Sequence, residues 1–118
     1  MTCKEQVKEA VRILDEKLGE NIVVLEIGEI SVIGDYFIIV TGKNINHVRA
    51  LADYVSEGLA KKKVFSNQNE GYANANWILM DYGDFIVHIF DKESREYYDL
   101  ERIWRDAKSC SGEEFLAE

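Results

Sequence analysis

The run Tyr36-Phe37-Ile38-Ile39-Val40 constrains this chain more than any other segment. Successive side chains of a strand point to opposite faces, and here both faces are apolar. Such a strand must be buried on both sides, which places it inside its sheet and demands a covering layer on each face. The chain supplies candidate layers. Val7, Ala10, Val11, Leu14 and Leu18 recur at helical spacing, and so do Val48, Leu51, Ala52, Val55 and Leu59. Thr2 and Glu5 are spaced as a capping box for the first helix, and Gly19 is placed to stop it. Asn44 or Asn46 caps the second, whose Lys61-Lys62-Lys63 end suits the helix dipole.

The remaining segments read mainly as strands and turns. Ile22 to Leu25 is a short β-branched strand, followed by an irregular stretch between Gly28 and Gly34. Val64 and Phe65 read as a further short strand, and Asn67 to Asn76 as a polar loop. Trp77 to Met80 and Phe85 to Phe90 form a hairpin through Asp81-Tyr82-Gly83-Asp84, with Gly83 free to take a positive φ. Lys92 to Tyr98 reads as a turn or an extra strand, and Asp99 caps a last helix through Leu100, Ile103 and Trp104. From Lys108 the chain is small, polar and acidic, and is expected to fray. The fold class is therefore α/β, a single mixed β-sheet flanked by helices, with one domain at 1–106 and a flexible acidic tail at 107–118.

A chain of 118 residues can bury one core, and 47% apolar against 31% charged residues excludes both disorder and a bilayer-spanning bundle. With 14 Lys plus Arg against 22 Asp plus Glu, the net charge of −8 repels phosphate backbones. Little direct nucleic-acid contact is expected, whereas a basic protein partner fits. Cys3 and Cys110 make no CxxC pair and no zinc spacing with histidine, so they read as free thiols of a reducing, cytoplasmic compartment. The first residues lack the pattern of a signal peptide, and no apolar run approaches a membrane span.

Three groups of residues are candidates for chemistry. Asp35, Asp81 and Asp84 could converge at a sheet edge around a divalent metal, although turn formation is the commoner role of such residues. His88 shares a strand face with Ile86 and Phe90, where a half-buried, hydrogen-bonded histidine is commoner than an acid–base unit with Asp81 or Asp84. Trp77, Tyr82, Tyr97, Tyr98 and Trp104 gather in the second half beside Arg95, Arg102 and Arg105. Aromatic residues with arginine are typical of interface centres, and the surrounding carboxylates favour a protein over a nucleic acid.

The string from Trp77 to Phe90, with Asp81, Gly83, Asp84 and His88 at fixed spacing, is followed by Glu93, Arg95, Tyr98, Leu100-Glu101 and Trp104. Upstream stand Asp35, Thr41-Gly42, His47-Val48 and Ala52-Asp53. From Asn21 to Trp104 this pattern closely resembles the ribosomal silencing factor, or Iojap-like, family. The resemblance implies a dimeric protein with a nucleotidyltransferase-like sheet and neither enzymatic role, metal nor cofactor. It implies binding to the large ribosomal subunit through the ribosomal protein uL14 on its joining face, and steric exclusion of the small subunit. Carried onto this chain, the partner-binding candidates are Trp77, Asp81, Tyr82, Asp84, Arg95, Tyr98 and Glu101. Trp77 and Tyr98 are the expected anchors, and they must not be buried in the core. Two rival readings remain beside translational repression: a metal-dependent nucleotidyltransferase using Asp35, Asp81 and Asp84, and a non-ribosomal dimeric adaptor.

Overall fold

The computed structural model describes residues 1–118. Helix α1 spans Cys3–Glu16 and opens on the expected capping box, Thr2 accepting from the Glu5 amide and Glu5 from that of Thr2. Its end differs from expectation. Lys17 is the C-cap and Leu18, not Gly19, takes the left-handed conformation. Gly19 is needed for close approach instead, because a Cβ there would lie 2.7 Å from Val40 Cγ2.

Strands β1 (Glu20–Glu26) and β2 (Tyr36–Thr41) follow, then helix α2 (Ile45–Lys61), capped by Asn44. Strand β3 is Gln68–Glu70, inside the stretch expected to be a loop, while Val64 and Phe65 form no strand. All of β3 is exposed, so pairing with its neighbour makes it a strand and no burial pattern announces it. Strands β4 (Trp77–Asp81) and β5 (Phe85–Phe90) form the expected hairpin, with Gly83 at φ 88°.

Beyond β5 the sequence expectation needs correction. Lys92–Tyr98 is a helix, α3, not a turn or strand, and a left-handed Asp99 separates it from the short helix α4, Leu100–Ile103. Asp99 makes no side-chain cap, whereas Asp91 caps α3 by accepting from the Ser94 amide. The frayed tail is also corrected. Lys108–Ser111 forms strand β6 against β1, and Gly112–Leu116 forms helix α5 with its own capping box between Ser111 and Glu114. Phe115 is 1% exposed and meets Tyr36 edge-on, which ties this last segment into the main core.

The sheet order is β3-β4-β5-β2-β1-β6. The central pair β2–β5 is parallel and every other pair is antiparallel, so the sheet is mixed. β2 lies inside the sheet, as its apolar run demands. One face is clad by α1, α2 and α5, whose apolar stripes meet Val24, Ile38, Val40, Ile78, Met80, Phe85, Val87 and Ile89 in the larger core. The other face holds a smaller core of Leu25, Ile27, Phe37, Ile39, Phe90 and Leu100, with Trp104 packed against it. No helix is long and apolar enough to cross a membrane.

Candidate partner-binding face

Strand register lays out the second face as a grid. Trp77 stands opposite Phe90, which faces Thr41; Leu79 stands opposite His88, which faces Ile39; Asp81 stands opposite Ile86, which faces Phe37. Over the β1–β2 half, Leu100 and Trp104 cover the sheet, the Trp104 ring meeting Phe37 edge-on at 5.4 Å. Over the β4–β5 half, α3 covers only the Trp77–Phe90 end, through Tyr98, and the layer is otherwise open. Trp77, Leu79 and Ile86 are left partly exposed, beside Tyr98 at 44% and Tyr97 at 82% exposure. The outermost strand adds Glu70 opposite Leu79 and Gln68 opposite Asp81. An apolar, aromatic centre with an acidic rim results.

Trp77 is half-buried and packs against the smaller core, Tyr98 is exposed, and their ring centroids lie 4.7 Å apart. Trp77 also stacks on Phe90 at 5.1 Å, and its indole N–H donates to His88 Nδ1 at 3.1 Å. Asp81 shares their face but sits at the far end of β4, about 13 Å along the strand from Trp77. Its Oδ1 accepts from the Gly83 amide at 2.8 Å, which closes the hairpin.

The other candidates are spread elsewhere. Tyr82 packs against the helix-covered core, stacked on Phe85 at 4.9 Å, and burial pushes its phenol up to about 12. Asp84 is exposed at the hairpin, where its carbonyl accepts from the Asp35 amide. The side chain of Arg95 is only 12% exposed and turned into the fold. Its guanidinium donates to Glu101 Oε1 at 3.1 Å, to the Asn21 carbonyl at 2.6 Å and to Thr41 Oγ1 at 3.0 Å. Arg95 thus ties Glu101 to the strand ends, while Trp77 stays half-buried and Tyr98 exposed. Leu79, Ile86, Gln68 and Glu70 complete the open face and were not among the sequence candidates. For Leu79 the signal was present, since strand alternation puts it between Trp77 and Asp81 on one face.

The carboxylates of the enzymatic alternative do not form one ligand set, and no group of three or more His, Cys, Asp or Glu side chains is placed to hold a metal ion. Asp35 anchors the β1–β2 loop through its carbonyl, which accepts from the Ile27 and Gly28 amides. Cys3 lies near Asp35 and Asp84, and burial together with these charges pushes its thiol up to about 11. His47 bridges the Lys43 amide and the Lys17 carbonyl.

The class defined by this geometry is a mixed-sheet α/β domain that clads one face with helices and leaves half of the other as an aromatic, acid-rimmed surface. The family model described as "Ribosomal silencing factor during starvation" matches residues 1–117. A "Ribosomal silencing factor RsfS" of Halalkalibacterium halodurans is 37% identical over 107 residues, covering 91% of this chain and 92% of that protein. The "Mitochondrial assembly of ribosomal large subunit protein 1" of mouse is 28% identical over 97 residues, covering 80% of this chain and 42% of that protein. A crystal structure of a Chromobacterium violaceum protein superposes with a TM-score of 0.86 at 32% identity, covering 88% of this chain and 87% of that one. The chain belongs to the ribosomal silencing factor family.

Proposed function

We propose that this protein is a non-enzymatic translational repressor of the cytoplasm that binds the large ribosomal subunit through uL14 on its joining face. Bound there, it sterically blocks docking of the small subunit. The observation that carries this reading is the incompletely covered β4–β5 half of the sheet, where the partly exposed Trp77, Leu79, Ile86 and Tyr98 offer an apolar centre. Interface energy concentrates in a few such aromatic anchors. The rim of Glu70 and Asp81 and the net charge of −8 favour a basic protein surface and speed its encounter. The relatives' names support a ribosomal partner, and the mouse relative's name specifies the large subunit.

The protein acts as a homodimer in this proposal, and the exposed Ile30, Val32 and Ile33 of the β1–β2 loop offer apolar surface for a second copy. Co-sedimentation with isolated large subunits, small subunits and joined ribosomes tests the function. Binding to free large subunits alone, weakened by Trp77→Ala and lost on large subunits lacking uL14, is expected. Binding to no particle would overturn the proposal in favour of the non-ribosomal adaptor.

A further inference from the structure

We infer that His88 is the positioning residue of this face: it holds the indole N–H of Trp77 inward, so that the Trp77 ring itself presents no donor to the partner. The inference rests on the reading that the Trp77 face contacts the ribosomal partner. Three observations converge on it.

The first is the bond itself. Trp77 Nε1 lies 3.1 Å from His88 Nδ1, and an indole has a single donor, which is consumed inside the fold. Because Trp77 pairs with Phe90 and His88 pairs with Leu79, the two residues are diagonal neighbours on adjacent strands, within reach of long side chains.

The second is the state of the imidazole. An Nδ1 that accepts leaves the ring proton on Nε2. Nε2 is buried without a hydrogen-bond partner, and the ring stands edge-on to Phe37 with centroids 4.6 Å apart. A buried histidine ordinarily satisfies both nitrogens. Here one is left unsatisfied while the other faces Trp77, in a ring 3% exposed and held neutral by burial. His88 therefore contributes a fixed acceptor to Trp77 and contributes nothing to solvent.

The third is what remains outside. With its N–H bonded to His88 and its ring set against Phe90 and Tyr98, what Trp77 leaves exposed is ring carbon. The complementary partner chemistry at Trp77 is an apolar side chain, and not a carbonyl or carboxylate acceptor.

The test has one arm in the protein alone and one on the ribosome. In the wild-type protein, long-range proton–nitrogen NMR should show His88 as the Nε2–H tautomer; the Nδ1–H tautomer would overturn the inference. His88→Phe keeps an aromatic ring but removes the acceptor. It should shift the Trp77 indole resonance, speed its exchange, and weaken binding to isolated large subunits by about tenfold, the scale of one lost hydrogen bond. His88→Asn, which restores an oxygen acceptor, should recover both. Unchanged indole exchange and binding in a folded His88→Phe would overturn the inference. If wild-type protein binds no large subunit, the proposed function fails, and the NMR arm still decides the role of His88.

Discussion

Arg95 Nη1 donates to the carbonyl of Asn21 at 2.6 Å, joining α3 to the start of β1 across 74 residues of sequence. Asn21 takes a positive φ of 50°, at the irregular first stretch of β1, where the register with β2 shifts. The same guanidinium reaches Thr41 at the end of β2 and Glu101 beyond α3. α3 buries none of its own residues, so this clamp is the main polar tie that holds it to the sheet. Arg95→Ala should cost about 2–4 kcal/mol of stability, measured by urea unfolding, because it leaves partly buried acceptors unsatisfied. Arg95→Lys should recover less than half, since an ammonium lacks the planar fork. An Arg95→Ala protein of unchanged stability that fails only in ribosome binding would return Arg95 to the interface.

The last twelve residues are a structural part of the domain. Phe115 is fully buried against Tyr36 and α1, and β6 covers the edge of β1. Phe115→Ala should destabilise by about 3–5 kcal/mol. Truncation after residue 106 should lower the melting temperature further and raise binding of an apolar dye. A truncated chain with wild-type melting would show that the segment is dispensable.

On the open face, Leu79 and Ile86 are partly exposed in the free protein. Leu79→Glu should change stability by less than about 1 kcal/mol yet weaken large-subunit binding by about thirtyfold, equivalent to roughly 2 kcal/mol. Tyr82→Ala should show the reverse, about 2 kcal/mol less stable with unchanged affinity, because Tyr82 packs under the helices. Sedimentation binding and chemical unfolding of the two variants separate these outcomes.

Burial pushes the His88 pKa down from 6.5 to about 4. Between these values the unfolded chain binds a proton that the folded chain refuses, so stability rises with pH across this window. The His88 contribution is therefore complete above about pH 6.5 and is lost as pH falls towards 4, with an upper bound of about 3 kcal/mol. In His88→Asn this part of the slope should vanish. Urea midpoints at pH 4.5 and 7 in both proteins measure it.

Where local chemistry decides structure, the sequence was enough to read it. The Thr2–Glu5 box, an asparagine cap at 44 or 46, the two amphipathic helices, the Gly83 hairpin and the doubly buried β2 follow from capping, periodicity and turn geometry. So does the family, from the spacing of residues between Trp77 and Trp104. Three elements escaped for a common reason. β3 is wholly exposed, α3 buries no residue, and β6 is a short polar edge strand, so none carries an apolar period. α5 left a readable signal, the Ser111–Glu114 box before Phe115, and α3 left only its cap, Asp91. The candidate surface divides in the same way. The sequence by itself determined which residue types are present and that Trp77 and His88 lie on strands, because alternation and β-propensity act between near neighbours. Only the tertiary structure decided that Trp77 and Tyr98 meet on one face while Arg95 turns inward and Tyr82 goes to the opposite face. Those outcomes depend on strand order and on where α3 and α4 stop covering the sheet, and both are set by contacts between residues far apart in the chain.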